Sequence, residues 1–151
     1  MEQLQKLGIK AESSNLIIVY DDTRDIDIWV TTPGKDYAKK IHFPYFKHPA
    51  MDDAWVAKDR GDTILASDYS LEEKDSFFTH FFQNTVAKNT PEERKQYILN
   101  CKCLTASTAY LKKISLTVAN FEEIPYSDQE NSIIKRFGNV LEQAYVHFLG
   151  E

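Results

Sequence analysis

Glycine is scarce in this chain, five among 151 residues, and none stands in a Gly-x-Ser-x-Gly elbow or in a loop spaced to cradle phosphate. Both devices need glycine, because the backbone must turn sharply or approach the ligand closely, so both chemistries are excluded. Basic residues are outnumbered, 18 Lys and Arg against 23 Asp and Glu, and no basic cluster exceeds two residues. A formal charge of -5 and a pI near 5.4 leave no surface suited to nucleic acid. Cysteine is limited to Cys101 and Cys103, too close along a strand for an unstrained disulfide, which fits a reducing compartment. His42, His48 and His80 share neither zinc-finger nor His-Glu-x-x-His spacing with each other or with the cysteines, so no metal site is expected and no cofactor is indicated. No run of eighteen apolar residues occurs, and Glu2 and Gln3 follow Met1 where a secretory leader would be basic and then apolar. The expectation is a cytoplasmic protein without a membrane segment.

What the chain does have is 42% hydrophobic residues, enough in this length for one globular domain spanning 1-151. Its longest periodic stretch runs from Ser127 to Phe148. Ser127 and Glu130 are spaced as a capping box just after Pro125, and Ile134, Phe137, Leu141, Ala144 and Phe148 then recur at steps of three and four. That spacing predicts one helix of roughly 33 Å. Ile133, Val140, Tyr145 and Leu149 widen the apolar arc to about half the circumference, more than a surface helix needs for its own core. Ile134, Phe137 and Leu141 are therefore expected to anchor on the domain, and Tyr145, Phe148 and Leu149 to meet a second copy in a homodimer.

In chain order, Glu2 to Leu7 reads as helix stopped by Gly8, and Asn15 to Tyr20 and Asp25 to Val30 as a hairpin turning at Asp21 to Arg24. Thr32-Pro33-Gly34 closes that unit. Lys40 to Tyr45 is a short strand that Pro44 confines to an edge or an end. His48-Pro49 opens a helix to Arg60 with Gly61 as its stop, and Thr63 to Ala66 is a strand candidate. Within Ser70 to Asn84, helical spacing sets Phe77 with Phe81 and Phe78 with Phe82. Thr90 is placed to cap a helix reaching Asn100, with Pro91 in its first turn. Cys101 to Tyr110 and Lys113 to Asn120 are the last two strands, joined at Leu111-Lys112 without the usual glycine. The order predicts an α+β domain: an antiparallel sheet of five to six strands, helices on one face and a long C-terminal helix.

Aromatic residues concentrate in the connections, interspersed with histidines. A largely apolar pocket needs a few polar groups to orient a ligand, and this region offers both. The candidate ligand-binding residues are His42, Tyr45, His48, Trp55, Tyr69, Phe77, Phe78, His80 and Phe81, with Cys103 from the strand that follows. The same rings would also build an aromatic core beneath long connections.

The hairpin around Asn15 to Val30, the strand Lys113 to Asn120 and the segment Phe121 to Phe148 together resemble a GAF-type sensor domain. The segment reads Phe-Glu-Glu-Ile-Pro-Tyr-Ser-Asp-Gln-Glu, followed after Asn-Ser by the helix Ile-Ile-Lys-Arg-Phe-Gly-Asn-Val-Leu-Glu-Gln-Ala-Tyr-Val-His-Phe. The resemblance is to the divergent GAF-like modules of bacterial sensor histidine kinases and related signalling proteins. It implies a GAF/PAS-like fold, a possible small-molecule ligand, no enzymatic activity, and transmission of ligand state through the terminal helix. It also implies a piece of a longer signalling chain, since no phosphoacceptor, nucleotide-binding or cyclase segment is present. The chain lacks an Asn-Lys-Phe-Asp-Glu motif, and Cys101-Lys102-Cys103 is not a Cys-His pair, so neither a cyclic nucleotide nor a bilin follows from the resemblance. Two other readings stand beside it: a small enzyme with a cupped sheet using Asp68 with His80, and a dimerisation module without ligand.

Overall fold

The computed structural model describes residues 2–31 and 39–149, with side chains over 4–30 and 40–147. Its elements are α1 (Glu2–Lys6), β1 (Ser13–Val19), β2 (Ile26–Thr31), β3 (Lys39–Phe43), α2 (Pro49–Arg60), β4 (Ile64–Tyr69), α3 (Leu71–Asn84), a 3-10 turn (Val86–Asn89), α4 (Glu92–Asn100), β5 (Leu104–Tyr110), β6 (Ser115–Asn120) and α5 (Asp128–Leu149). The strands make one antiparallel sheet in the order β3-β2-β1-β6-β5-β4. This is the expected α+β class. Thr32-Pro33-Gly34 and Gly150-Glu151 lie outside the described residues.

Residues alternate across a strand, and here both phases of the central strands are covered. One phase faces the layer built from α2, α3, the 3-10 turn and α4. The opposite phase carries Ala109, Leu116 and Val118, which pack with Leu4, Ile9, Tyr126 and Ile134. Ile133, Phe137 and Leu141 join that cluster, so the expected anchors of α5 do meet the sheet. Burying Ile134, Leu116 and Val118 stabilises the domain by roughly 1.5 to 3 kcal/mol per side chain. At Gly138 the helix passes so near the β5–β6 hairpin that a Cβ would stand 3.0 Å from Leu111 Cδ2 and 3.6 Å from Leu116 Cβ.

The ends of the elements follow from local chemistry. At the start of α5, the Ser127 amide donates to Glu130 Oε1 at 2.9 Å and the Glu130 amide donates to Ser127 Oγ at 3.1 Å, the reciprocal box its spacing predicts. Ser70 and Glu73 form a second such box on α3. His48 Nδ1 accepts from the Ala50 amide at 3.0 Å as the cap of α2, and Gly61 ends that helix at φ 80°, a left-handed conformation that glycine adopts without a Cβ penalty. The β5–β6 turn manages without glycine because Glu142 of α5 accepts from the amides of Lys113 at 2.6 Å and Ile114 at 3.2 Å. α5 is thereby tied to the hairpin it packs on.

Two local expectations are corrected. Thr90 does not cap α4: its amide donates to Ala87 O at 2.9 Å and closes the preceding 3-10 turn, so the cap position falls to Pro91, which has no side-chain acceptor. Cys101 and Cys103 do not lie along a strand, because α4 runs to Asn100 and Cys101 caps it, its amide donating to Ile98 O and its Sγ to Tyr97 O at 3.1 Å. The strand therefore starts only at Leu104. Both cysteines are free thiols, pushed above the ordinary thiol range mainly by burial.

Candidate functional site

Between the sheet and its mid-chain helices lies a cavity of about 670 Å³, within the range of about 300 to 1,000 Å³ that small-molecule sites occupy. Its floor is the phase of the sheet turned away from α5. Strand registers order that floor into rows. One row crosses from Ile41 through Ile28 and Ile17 to Ser115 and Tyr110. The next crosses from Val30 through Asn15 and Thr117 to Thr108. The β2–β3 side of the floor is thus aliphatic, and the centre, over β1, β6 and β5, is hydroxyl and amide. The sequence carries this change within single strands, since β1 reads Ser13, Asn15, Ile17 and Val19 in this phase.

The opposing wall comes from α2 and α3. Helical spacing puts Phe77 and Phe81 on one line and Phe78 and Phe82 on the next, with ring centroids 6.4 Å and 6.0 Å apart. Met51 and Trp55 extend the wall from α2. The Trp55 ring lies under two cations, Lys58 Nζ at 4.8 Å and Arg24 Cζ at 5.3 Å from its centroid. Lys58 is also paired with Asp21 at 2.8 Å, which ties the β1–β2 turn to α2.

The polar floor is unevenly satisfied. The hydroxyls of Thr108 and Thr117 bond each other at 2.9 Å. Asn15 Oδ1 and the Tyr110 hydroxyl are buried and find no hydrogen-bond partner among the described residues. Burial pushes the Tyr110 phenol up to about 12, with Asp62 and Asp53 adding to the shift, and it therefore stays protonated. Tyr69, whose hydroxyl donates to Asp53 at 3.1 Å, is raised further, again chiefly by burial.

Of the residues singled out by sequence, Trp55, Tyr69, Phe77, Phe78 and Phe81 line the cavity. The others do not. Ile41 and Phe43 take the inward phase of β3, so His42 points to the opposite face, where Nδ1 meets Asp27 Oδ1 at 2.8 Å and Nε2 lies 3.5 Å from Asp25 Oδ2. His48 is buried, with Nε2 2.9 Å from both Glu73 O and Ser76 Oγ, and is occupied in holding α2 against α3. His80 stacks on Phe46 at 3.7 Å. Tyr45 donates to Asp52 Oδ1 at 2.6 Å, and Cys103 is buried just before β5. Asn15, Thr117, Ser115, Thr108 and Tyr110 were missed, although the polar residues within the inward phase of β1, β5 and β6 are the signal that reveals them.

On the face away from the cavity, Asp27 is buried and accepts from Tyr20 at 2.6 Å as well as meeting His42, with Lys40 Nζ at 3.6 Å. Burial opposes its charge, but the hydrogen bonds from Tyr20 and His42 outweigh it and hold the carboxyl below its ordinary value. The same bond pushes the Tyr20 phenol up. Asp68 is in the outward phase of β4, accepting from Thr105 Oγ1 at 2.9 Å, whereas His80 stands in α3 on the cavity side, so this pair is not assembled. Along α5, Tyr145 is half-buried, Ala144 is exposed, and the side chains of Phe148 and Leu149 lie outside the described residues. No protein-family model, curated protein or solved structure matches the chain.

Proposed function

We propose that this chain is a small-molecule-sensing or regulatory domain of GAF-like type, without catalytic turnover, acting in the cytoplasm. The observation that carries the reading is the cavity of about 670 Å³, which sets an aliphatic and aromatic lining beside the polar side chains of Asn15, Thr108, Ser115 and Thr117. A largely apolar pocket with a few polar groups to orient its occupant is the composition of a small-molecule site. The GAF-like assignment rests on the likeness of the Asn15 to Val30 hairpin and the Phe121 to Phe148 segment. Non-enzymatic function is supported by the lining, where the described residues include no histidine, carboxylate or cysteine; Asp53, which accepts from the lining Tyr69, stands outside it. A serine or threonine without an adjacent base is a weak nucleophile.

Output runs through the sheet in this proposal. β5 and β6 carry the cavity floor on one phase and the α5 contact on the other, so a ligand that displaces the floor also displaces the bed of α5. It shifts α5 only by its differential affinity for the two arrangements. Hydrogen exchange over residues 128–149, followed during titration with a cavity binder found by thermal shift, tests this. Changed protection in α5 is the expected result, and binding that leaves α5 unchanged removes the signalling part.

A homodimer through α5 belongs to the same proposal. Val140 at 63% exposed and Val146 at 44% are apolar positions of α5 that the sheet leaves uncovered. Sedimentation analysis is expected to show a dimer that Val140→Glu converts into a folded monomer, and a wild-type monomer at high micromolar concentration contradicts it.

A further inference from the structure

We infer that the cavity takes a single-chain amphipathic anion of aliphatic carboxylate type, its hydrocarbon body lying between sheet and helices and its carboxylate at a mouth marked by Arg94. This rests on the reading of the cavity as a ligand site. The shape comes first. The lining draws on all six strands, from Ile41 on β3 to Leu65 on β4, a breadth of five strand spacings or roughly 24 Å. A volume of about 670 Å³ spread over that breadth leaves a mean section of only about 28 Å², enough for one extended chain and not for a globular body. What that chain meets is hydrocarbon, from Ile17, Ile28, Val30 and Ile41 on the floor and from Phe78 and Phe81 on the wall. The polar groups of the floor are closed to it, since the hydroxyls of Thr108 and Thr117 bond each other at 2.9 Å and Asn15 Oδ1 and the Tyr110 hydroxyl are buried. A charged head drawn over this floor would lose its hydration without return, so it stays at the edge.

The edge sets the sign of the head. Among the described lining residues only Asn89 and Pro91 are exposed, and with Thr90 and Arg94 they form the junction of the 3-10 turn and α4, where the cavity meets water. Arg94 and Lys58 are the charged side chains of the described lining, and both are basic in a chain of net charge -5. Lys58 is paired with Asp21 at 2.8 Å and lies over the Trp55 ring. Arg94 makes no ion pair among the described residues. Of the acidic groups on its side, Glu12 is engaged by the Tyr97 hydroxyl and the Phe121 amide, and Glu92 and Glu93 are exposed and outside the lining. The Arg94 guanidinium lies 5.3 Å from the centroid of the Tyr97 ring. A ring takes one side of a guanidinium and leaves its N–H fork, which matches a carboxylate.

The experiment is calorimetric titration of the full chain with hexanoate, octanoate and decanoate, and with 1-octanol and octylammonium as the neutral and cationic matches of octanoate. Affinity is expected to rise about fourfold with each added CH₂, and octanoate is expected to bind more tightly than octanol and octanol more tightly than octylammonium. Arg94→Gln should weaken octanoate about fivefold, to the level of octanol, and leave octanol unchanged. Ala106→Phe, which fills the floor, should abolish binding of every probe. Octanol or octylammonium binding as tightly as octanoate, octanoate unmoved by Arg94→Gln, or an affinity flat with chain length overturns the ligand class, while loss of that binding in Ala106→Phe leaves the ligand site standing. Aromatic fragments that bind in a parallel thermal-shift screen where all five probes fail also overturn the class and keep the site. No binder of either kind overturns both. Arg94 is half-exposed on α4, so its substitution decides the charge argument even where Ala106→Phe does not fold.

Discussion

Against α5 the sheet presents Ala109, Leu116 and Val118, each no more than 1% exposed, which pack with Ile134, and one buried hydroxyl, Ser107, stands beside Val118 in the same phase. Against the mid-chain helices the same two strands present Thr108, Tyr110, Ser115 and Thr117, and the space above them is open. One face is filled by side chains of matching shape. The other joins an aliphatic and aromatic wall to hydroxyls and an amide that the fold itself leaves partly unsatisfied. The difference teaches that stability and recognition are separated by one pleat of the sheet. A single-residue step along β5 or β6 moves from a position that holds the fold together to one that faces the cavity.

The largest expected effect breaks the packed face. Leu116→Ala or Ile134→Ala should lose about 2 to 5 kcal/mol in urea unfolding, since the hole left cannot fully collapse. Phe78→Ala on the cavity wall should fall at or below the low end for its size, about 3 kcal/mol, because its ring already borders open space. Equal losses on the two faces would erase the distinction.

A second contrast is set by pH. Tyr110 and Tyr69, which line the cavity, have folded-state values above the unfolded value of about 10. Stability from their neutral form is present below pH about 10 and lost as pH rises through the folded values, about 12 for Tyr110. Asp27, on the far face, has a depressed value, so its contribution is present above the unfolded value of about 3.9 and lost as pH falls below it. Denaturant midpoints measured across pH should therefore show an alkaline limb flattened by Tyr110→Phe and an acid limb flattened by Asp27→Asn. An alkaline limb unmoved by Tyr110→Phe would remove the phenol from the account.

The smallest effect concerns the tie between α5 and its hairpin. Glu142→Gln keeps the shape but weakens the acceptor for the Lys113 and Ile114 amides, and should cost about 1 kcal/mol. Its use is in the comparison: a loosened α5 should raise hydrogen exchange over the β5–β6 turn and leave cavity affinity within about twofold. A large affinity change would show that the faces are less separate than the packing suggests.

Much of the fold was legible because its signals are local. The Ser127–Glu130 box, the three-and-four spacing of Ile134, Phe137 and Leu141, the alternation of Ile26, Ile28 and Val30, and the Gly61 stop each act over a few residues, and each is found in place. Pro44 pointed to an edge or an end for its strand, and it falls just past the last residue of β3, which is also an edge of the sheet. The site was half legible. Phe77, Phe78 and Phe81 reach the cavity through helical spacing, but the histidines near them were drawn elsewhere by capping at His48, stacking at His80 and strand phase at His42. The polar floor was hidden for a different reason. Ser115 and Thr117 alternate with Leu116 and Val118 as they would on a strand half open to water, and only the chain's return through α2 to α4 turns that polar phase into the lining of a cavity. Where α4 ends and Cys101 begins was likewise settled by competition between a helix and a strand over the same residues.

In this proposal the polar groups of Asn15 and Tyr110 belong to the cavity floor and do not hold the fold together. Equilibrium urea unfolding of the Asn15→Leu/Tyr110→Phe double variant, without added ligand, tests this most directly. Removing two buried groups that the fold leaves unpartnered should leave the midpoint unchanged or raise it, by up to about 2 kcal/mol in stability. A loss comparable to that of Leu116→Ala would contradict it, because it would place both side chains among the contacts that hold the sheet together.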